Sequence, residues 1–433
     1  MQFYSTNNPE LRVDLKEAVF KGLPADNGLF MPLDLPRLPD DFIANLENYS
    51  FPGIAFRVAR HILQGAIPDS DLEKIVGSAI DFKAPAVRLD ESTYILELFH
   101  GPSLAFKDFG ARFMAQLMSW FNRGQDQKLT ILVATSGDTG GAVAAGFLDT
   151  PGIDVVILYP SGKVSPLQEK QLTTLGHNIT ALEVAGTFDD CQALVKRAFL
   201  DREVTARLRL SSANSINIAR LIPQSFYYFE AYRQVEKRPG IPVVFSVPSG
   251  NFGNLTAGLM AKKMGLPVHR FIAATNLNDV VPEYLKTGNY TPRASRRTLS
   301  NAMDVGAPSN FARMLDLYGS TWNIMKGEIF GYAFSDEQTR YAMQEIDRRY
   351  GYVIDPHGAV AYLALREYQK QEPCTGIVLE TAHPAKFVEA VEEILGREIS
   401  IPARLAELQH RQKEAVAMPV DYAVFRSWLL DRG

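Results

Sequence analysis

The sequence predicts an α/β protein built on parallel sheets, and three observations lead there. From about residue 128, short apolar runs alternate with helical patterns: LTILVAT (129–135), VVILYP (155–160), ITALEV (179–184), PVVFSV (242–247), RFIAAT (270–275) and GIVLET (376–381). These runs are apolar almost throughout, as strands buried on both faces of a parallel sheet are. Three loops leave such runs and open helical patterns: TSGDTGG (135–141), PSGNFGN (248–254) and ETAHPAK (380–386). Finally, 433 residues at 46% hydrophobic content can support roughly two or three domains with cores of their own.

Along the chain, residues 10–95 read as helical and punctuated by prolines. Asp69 and Ser70 precede Leu72, Ile75, Val76, Ala79 and Ile80, which share one helical face. Residues 97–118, ELFHGPSLAFKDFGARFMAQLM, carry Phe109, Ala111, Phe113, Met114 and Leu117 in a buried-helix pattern. The stretch Arg233 to Pro242 is polar and contains prolines, and it reads as a crossing between two lobes. Gly240 to Ala261 is uncharged, but Pro242, Pro248, Gly250, Asn251, Gly253 and Asn254 interrupt it. A lipid-spanning helix would not carry that break, so the stretch reads as strand, loop and helix. After Thr381, Pro384 suits a first helical position. Phe387, Val388, Val391, Ile394 and Leu395 then form a stripe that Gly396 closes.

Composition excludes several classes. Lys+Arg 45 against Asp+Glu 49 gives a net charge of -4, which argues against a nucleic-acid binder. Two cysteines, Cys191 and Cys374, form neither a disulfide framework nor a Cys-x-x-Cys ligand set, so a reducing, cytoplasmic setting is expected. The first residues lack an apolar core of the kind a secretory signal needs. His100, His177, His357 and His383 have no ligand spacing with a carboxylate, so no metal is expected. Of these, His100 is the candidate to line a pocket and the others read as structural.

The chemistry centres on the loops and one lysine. In open α/β sheets, ligands bind where strands end and helices begin, and free N–H groups at a helix start attract anions. PSGNFGN suits a phosphate: Gly250 and Gly253 permit tight curvature, and Ser249, Asn251 and Asn254 add donors. In TSGDTGG, Asp138 would repel a dianion, so that loop fits a carboxylate or a polar ring substituent held by Ser136 and Thr139. Neither loop carries a P-loop or a dinucleotide fingerprint. Most lysines are solvated, but Lys107 sits between Phe106 and Phe109 ahead of a buried helix pattern. An amine desolvated there is neutral more readily and attacks carbonyls. The structural alternative, a core ion pair with Asp108, is disfavoured because adjacent side chains on a helix do not face each other. A carbonyl-reactive lysine with a separate phosphate cradle is what pyridoxal phosphate requires.

The segments NGLFMP (27–32), ELFHGPSLAFKDFGARFM (97–114), TSGDTGGAV (135–143), SSANSINIARL (211–221), VPSGNFGNLTAGLMAKKMGLP (247–267), LSNAMDVGAPSN (299–310) and ETAHPAKF (380–387) resemble those of the threonine synthase family in its longer bacterial and fungal form. The resemblance runs over nearly the whole chain in order. It implies a two-lobed fold of the tryptophan-synthase-β type (fold type II of the pyridoxal-phosphate enzymes). The expected divisions are a mainly helical N-terminal segment at 1–95, a smaller lobe at 96–232 and a larger lobe at 233–433. Lys107 matches the family's Schiff-base lysine. Gly250, Asn251, Phe252, Gly253 and Asn254 match the cofactor-phosphate loop, and Thr381 matches the hydroxyl at the ring nitrogen. Thr135, Ser136, Asp138 and Thr139 match the loop that grips the substrate. Shorter relatives often carry Asn where Asp138 stands. Asn214, Ser215, Asn217 and Arg220 are candidates for the substrate phosphate, with Lys163 as a further one.

The implied reaction converts O-phospho-L-homoserine and water to L-threonine and phosphate in a monomer or homodimer, with no nucleic-acid or membrane partner. Two alternatives stand beside it. One is a dehydratase or phospholyase of the same fold that yields a 2-oxo acid. The other is a non-catalytic protein of that fold, which the retained Lys107 argues against.

Overall fold

A computed structural model describes residues 1–135 and 137–432. Ser136, one of the expected substrate contacts, lies outside the described residues. In chain order the strands are β1 (Gln2–Ser5), β2 (Arg12–Asp14), β3 (Phe30–Pro32), β4 (Ala86–Arg88), β5 (Thr93–Glu97), β6 (Leu129–Ala134), β7 (Ile153–Pro160), β8 (Ile179–Val184), β9 (Arg209–Ser212), β10 (Val243–Pro248), β11 (Arg270–Thr275), β12 (Ile329–Ala333), β13 (Thr375–Glu380) and β14 (Val416–Met418). All six apolar runs named above are strands.

Three sheets result. A small antiparallel sheet, in the order β2-β1-β3, starts the chain. A six-stranded sheet runs β12-β11-β10-β13-β5-β4, and only its edge strand β4 is antiparallel. A five-stranded sheet, β14-β8-β7-β6-β9, is parallel throughout. The apolar runs are continuous because helices cover both faces. On one side of the large sheet, Val244, Ile272 and Val378 pack against Ala361, Leu365 and Tyr368 of the helix Pro356–Gln369. On one side of the five-stranded sheet, Leu132, Val156 and Leu182 pack with Leu194, Phe425 and Leu429. A single large core joins the inner faces, the N-terminal helices and the helix Lys107–Asn122.

Helix signals behave as expected. Asp69–Ala79 buries Leu72, Ile75, Val76 and Ala79. The segment after Thr381 opens as a 3-10 turn, Pro384–Phe387, and continues as Val388–Leu395, with Gly396 at φ 67 closing it. No described helix is long and apolar enough to cross a membrane.

The expected divisions do not coincide with the sheets. β4 and β5 fall largely within 1–95 but belong to the large sheet, and β1–β3 add a sheet to a segment expected to be helical. At the other end, β14 leaves the large lobe and pairs with β8, while the helix Tyr422–Leu430 packs on the small lobe. These pairings join residues far apart in the chain, and no local pattern encodes them. Cys191 and Cys374 are both buried and free.

Candidate active site

A cavity of about 170 Å³ opens where β10 and β13 end and where the helix Asp138–Phe147 begins. Lys107, Asp138, Arg220, His357, Thr381 and the loop 248–254 all reach it. A wider depression of about 980 Å³, near Arg37, Tyr232 and Lys237, brings no comparable reactive set together.

Lys107 is the first residue of its helix, and the backbone before it is pinned to the end of β13. The Phe106 N–H donates to the Thr381 carbonyl at 2.8 Å, Ala105 bridges Ala382, and the His383 N–H donates to the Leu104 carbonyl at 3.0 Å. Lys107 and Thr381 are thereby neighbours although one belongs to a helix and the other follows a strand. The Lys107 side chain is 17% exposed, with Nζ 3.5 Å from Asp138 Oδ2 and 5.2 Å from the Phe106 ring centroid. Burial lowers its pKa; the Asp138 carboxylate opposes that shift, and the charges of Lys386 and Arg220 add to it.

Asp138 is held from three directions. Lys386 Nζ lies 2.8 Å from Oδ1, Gln168 Nε2 donates to the same oxygen at 2.8 Å, and Lys107 faces Oδ2. Burial alone would raise this carboxyl, but the two ammonium groups outweigh it and hold it well below the usual carboxylate range. The loop at Asp138 needs glycine: Gly137 has φ 140, and a Cβ there would lie 2.7 Å from Gln168.

The 248–254 loop is a tight cradle. A Cβ on Gly250 would sit 2.6 Å from the Ala302 carbonyl oxygen and 2.8 Å from Met303 Cα. Phe252 adopts φ 60 at the N-cap of the helix Gly253–Lys263, a left-handed conformation unusual for a bulky residue. Asn251 Nδ2 donates to Ser215 Oγ at 2.7 Å, and Asn251 Oδ1 accepts the Ser309 N–H at 2.6 Å. Tyr227 and Tyr228 both donate to Asn254 Oδ1, at 2.6 and 2.7 Å. That fixes the amide, and Asn254 Nδ2 is left buried without a partner beside the cavity; Arg220, also at the cavity and buried, has an unpartnered Nε packed against Gly110.

Residues 81–379 match the family described as Pyridoxal-phosphate dependent enzyme, residues 2–80 the Threonine synthase N terminus, and residues 358–428 the Threonine synthase C-terminal family. The chain is 47% identical to a threonine synthase of Serratia marcescens, over 99% of both chains. It is 46% identical to that of Escherichia coli, over the full length of both. The chain belongs to the threonine synthase family. Its structure superposes on the Escherichia coli threonine synthase crystal structure with a TM-score of 0.92 over 100% of both chains. A structure of PLP-bound threonine synthase from Brucella melitensis gives 0.93 at 35% identity, covering 100% of this chain and 99% of that one. A threonine deaminase of Solanum lycopersicum, at 16% identity and 0.58, shares the fold.

Membership in this threonine synthase family makes pyridoxal phosphate the cofactor, and the residues present fit it. The cavity lining holds the Lys107 amine, with Thr381 next to it in the fold. The same lining has a helix start, a cradle that admits no Cβ at residue 250 and an unpartnered amide donor, the groups an anionic phosphate takes up.

Not every expected contact of the family pattern reaches the cavity. Thr135 Oγ1 accepts the N–H groups of Gly137 and Gly140, at 3.0 and 2.8 Å, so that hydroxyl shapes its own loop. Asn217 is buried, donates to the Val19 carbonyl at 2.8 Å and caps the helix Ile218–Leu221. Asn214 does not line the cavity, and Lys163 is on an exposed turn. Ser215, Arg220, Asp138 and Thr139 do line it.

Among the histidines the expectation reverses. His100 faces solvent and pairs with Glu97. His357 is buried against the cavity; its Nε2 accepts the Ala302 N–H at 3.2 Å, so Nδ1 carries the proton and donates to Asp355 at 2.7 Å. Sequence reasoning passed over Gln168, Gln224, Tyr227, Tyr228 and Lys386. Only Lys386 had a local signal, since it stands in one of the three helix-opening loops.

Proposed function

We propose that this chain is a threonine synthase, converting O-phospho-L-homoserine and water to L-threonine and phosphate. The juxtaposition that carries the reading is Lys107 beside Thr381, lining one small cavity together with the donor-rich 250–254 loop. Bound pyridoxal phosphate supplies an aldehyde for amines and a conjugated system that takes up negative charge.

The chain's residues do the rest. Lys107 would hold the cofactor through its amine, and the same amine, when unbound, would take the proton at Cα and move protons at Cβ. Its weak basicity suits that task, because a permanently charged ammonium cannot accept a proton. Asp138 keeps the amine oriented and does not itself accept the proton, because two lysines hold it ionised. Residues 250–254 would hold the cofactor phosphate, and the Thr381 hydroxyl would serve its ring nitrogen. Arg220 and Ser215, both at the cavity, take the substrate phosphate, and Thr139 assists at its carboxylate. In this proposal the working form is a monomer or homodimer in the cytoplasm.

The test is incubation of the purified holoenzyme with phosphohomoserine. Threonine and phosphate are expected in equal amounts, and Lys107→Ala removes both. Borohydride reduction and peptide mapping should place the pyridoxyl group on Lys107. Formation of 2-oxobutyrate and ammonia in place of threonine would shift the assignment to a lyase of the dehydratase type. No turnover and no adduct would favour a non-catalytic protein.

A further inference from the structure

The turn at Pro384–Phe387 carries a second lysine whose place the expected chemistry does not use. Lys386 is more deeply buried than Lys107: its side chain is 1% exposed against 17%. A lysine this enclosed must be paired, and its partners are specific. Nζ lies 2.8 Å from Asp138 Oδ1 and donates to the Ser103 carbonyl at 2.9 Å. Lys107 reaches the same carboxylate only at 3.5 Å, through the other oxygen. Asp138 is therefore shared by two cations, and the shorter contact belongs to the one that lies outside the cavity lining.

The second partner matters as much. The Ser103 carbonyl also accepts from Gln171 at 3.0 Å, and the Ser103 N–H donates to Asp108 at 2.9 Å. Leu104 follows with φ 57, its carbonyl bonded to the His383 N–H. Lys386 thus secures the turn that delivers Lys107 and also occupies the anion that would otherwise capture Lys107.

We propose that Lys386 is a positioning residue of the active site: by sharing Asp138 and anchoring Ser103, it keeps the Lys107 amine uncommitted and able to react. The inference rests on the reading of Lys107 as the reactive amine. The charged groups facing Lys107 are Asp138 on the helix Asp138–Phe147, Lys386 on the 384–387 turn and Arg220 on the helix Ile218–Leu221. Asp108 and His383 face Lys386 in addition to Asp138. Without Lys386, the Asp138 carboxylate has Lys107 as its nearest cation and stabilises the ammonium form.

The experiment is competitive acetylation of the cofactor-stripped full chain across pH, with the residue-107 peptide quantified by mass spectrometry. Wild-type Lys107 is expected to reach half-modification at a lower pH than an ordinary lysine. Lys386→Met should raise that midpoint by about one unit, an effect of about tenfold in labelling at a fixed pH below it. Lys386→Arg, which keeps the charge, should stay near wild type. A folded Lys386→Met chain with the wild-type midpoint overturns the proposal. Should that variant not fold, the wild-type chain decides: Lys386 must remain unlabelled where Lys107 is half-modified, and labelling of Lys386 first overturns the proposal. A borohydride adduct on another lysine would defeat the reading of Lys107 itself, and acetylation tells the two failures apart.

Discussion

Removing the Asp138 carboxylate while keeping its size, as in Asp138→Asn, strands the Lys386 ammonium in the interior. The size of that effect can be worked from the distances. At an effective dielectric of about 20, unit charges 2.8 Å apart attract by about 6 kcal/mol and charges 3.5 Å apart by about 5 kcal/mol. Desolvation offsets much of this, and breaking one side of a buried pair typically costs about 3–5 kcal/mol. Asp138→Asn should cost that much, since Lys386 keeps only the Ser103 carbonyl. Lys386→Met should cost less, by about 1–2 kcal/mol, because Asp138 retains Lys107 and Gln168. The double variant removes the Lys386 charge together with its partner and leaves only the Lys107 amine, which burial already disposes to shed its proton. It should lie at least about 2 kcal/mol below the sum of the single costs, and below Asp138→Asn alone. Urea unfolding of the four cofactor-stripped chains measures the cycle. Additive costs, or a double variant weaker than Asp138→Asn, would refute the claim that these side chains act as one buried unit.

Other outcomes follow from single contacts. Gly250→Ala drives a methyl group into the 301–303 backbone, which is held by the Ala302 N–H to His357 bond; a loss of about 1–3 kcal/mol and weaker cofactor retention are expected, read by thermal unfolding and by dialysis. Replacing Tyr227 and Tyr228 together by Phe frees the Asn254 amide to rotate; affinity for pyridoxal phosphate should fall about tenfold while that for pyridoxal, which lacks the phosphate, changes little. Asp108 is buried at the start of the Lys107 helix, and burial pushes its carboxyl from 3.8 up to about 6. Its folded form prefers the proton, so its contribution is present below the unfolded value and lost as pH rises through about 6, a change of about 3 kcal/mol in full. Asp108→Asn should remove that dependence, so its stability relative to wild type should rise by about 1–2 kcal/mol between pH 5 and pH 8.

Much of this molecule could be read locally. The six apolar runs became strands because a nearly unbroken β-branched and aliphatic run has few other ways to be buried. The loops at 248–254 and 380–386 reach the cavity because strand ends and helix starts put free backbone donors in one place. Lys107 stood out because its neighbours are phenylalanines, and a solvated lysine has no use for them.

What the chain could not announce was which distant groups would share a charge or an edge. β9, β12 and β14 are short or partly polar, and they exist because a neighbouring strand offers its hydrogen bonds. Thr135 and Asn217 look like ligand contacts until the fold spends their polar atoms on nearby backbone. Lys386 and Asp138 meet only once the end of the large sheet comes against the start of a small-lobe helix. Periodicity and turn chemistry are determined within a few residues, and the sequence states them directly. The pairing of buried charges and strand edges is settled by which partners the packed core leaves unsatisfied, and that exists only in the folded molecule.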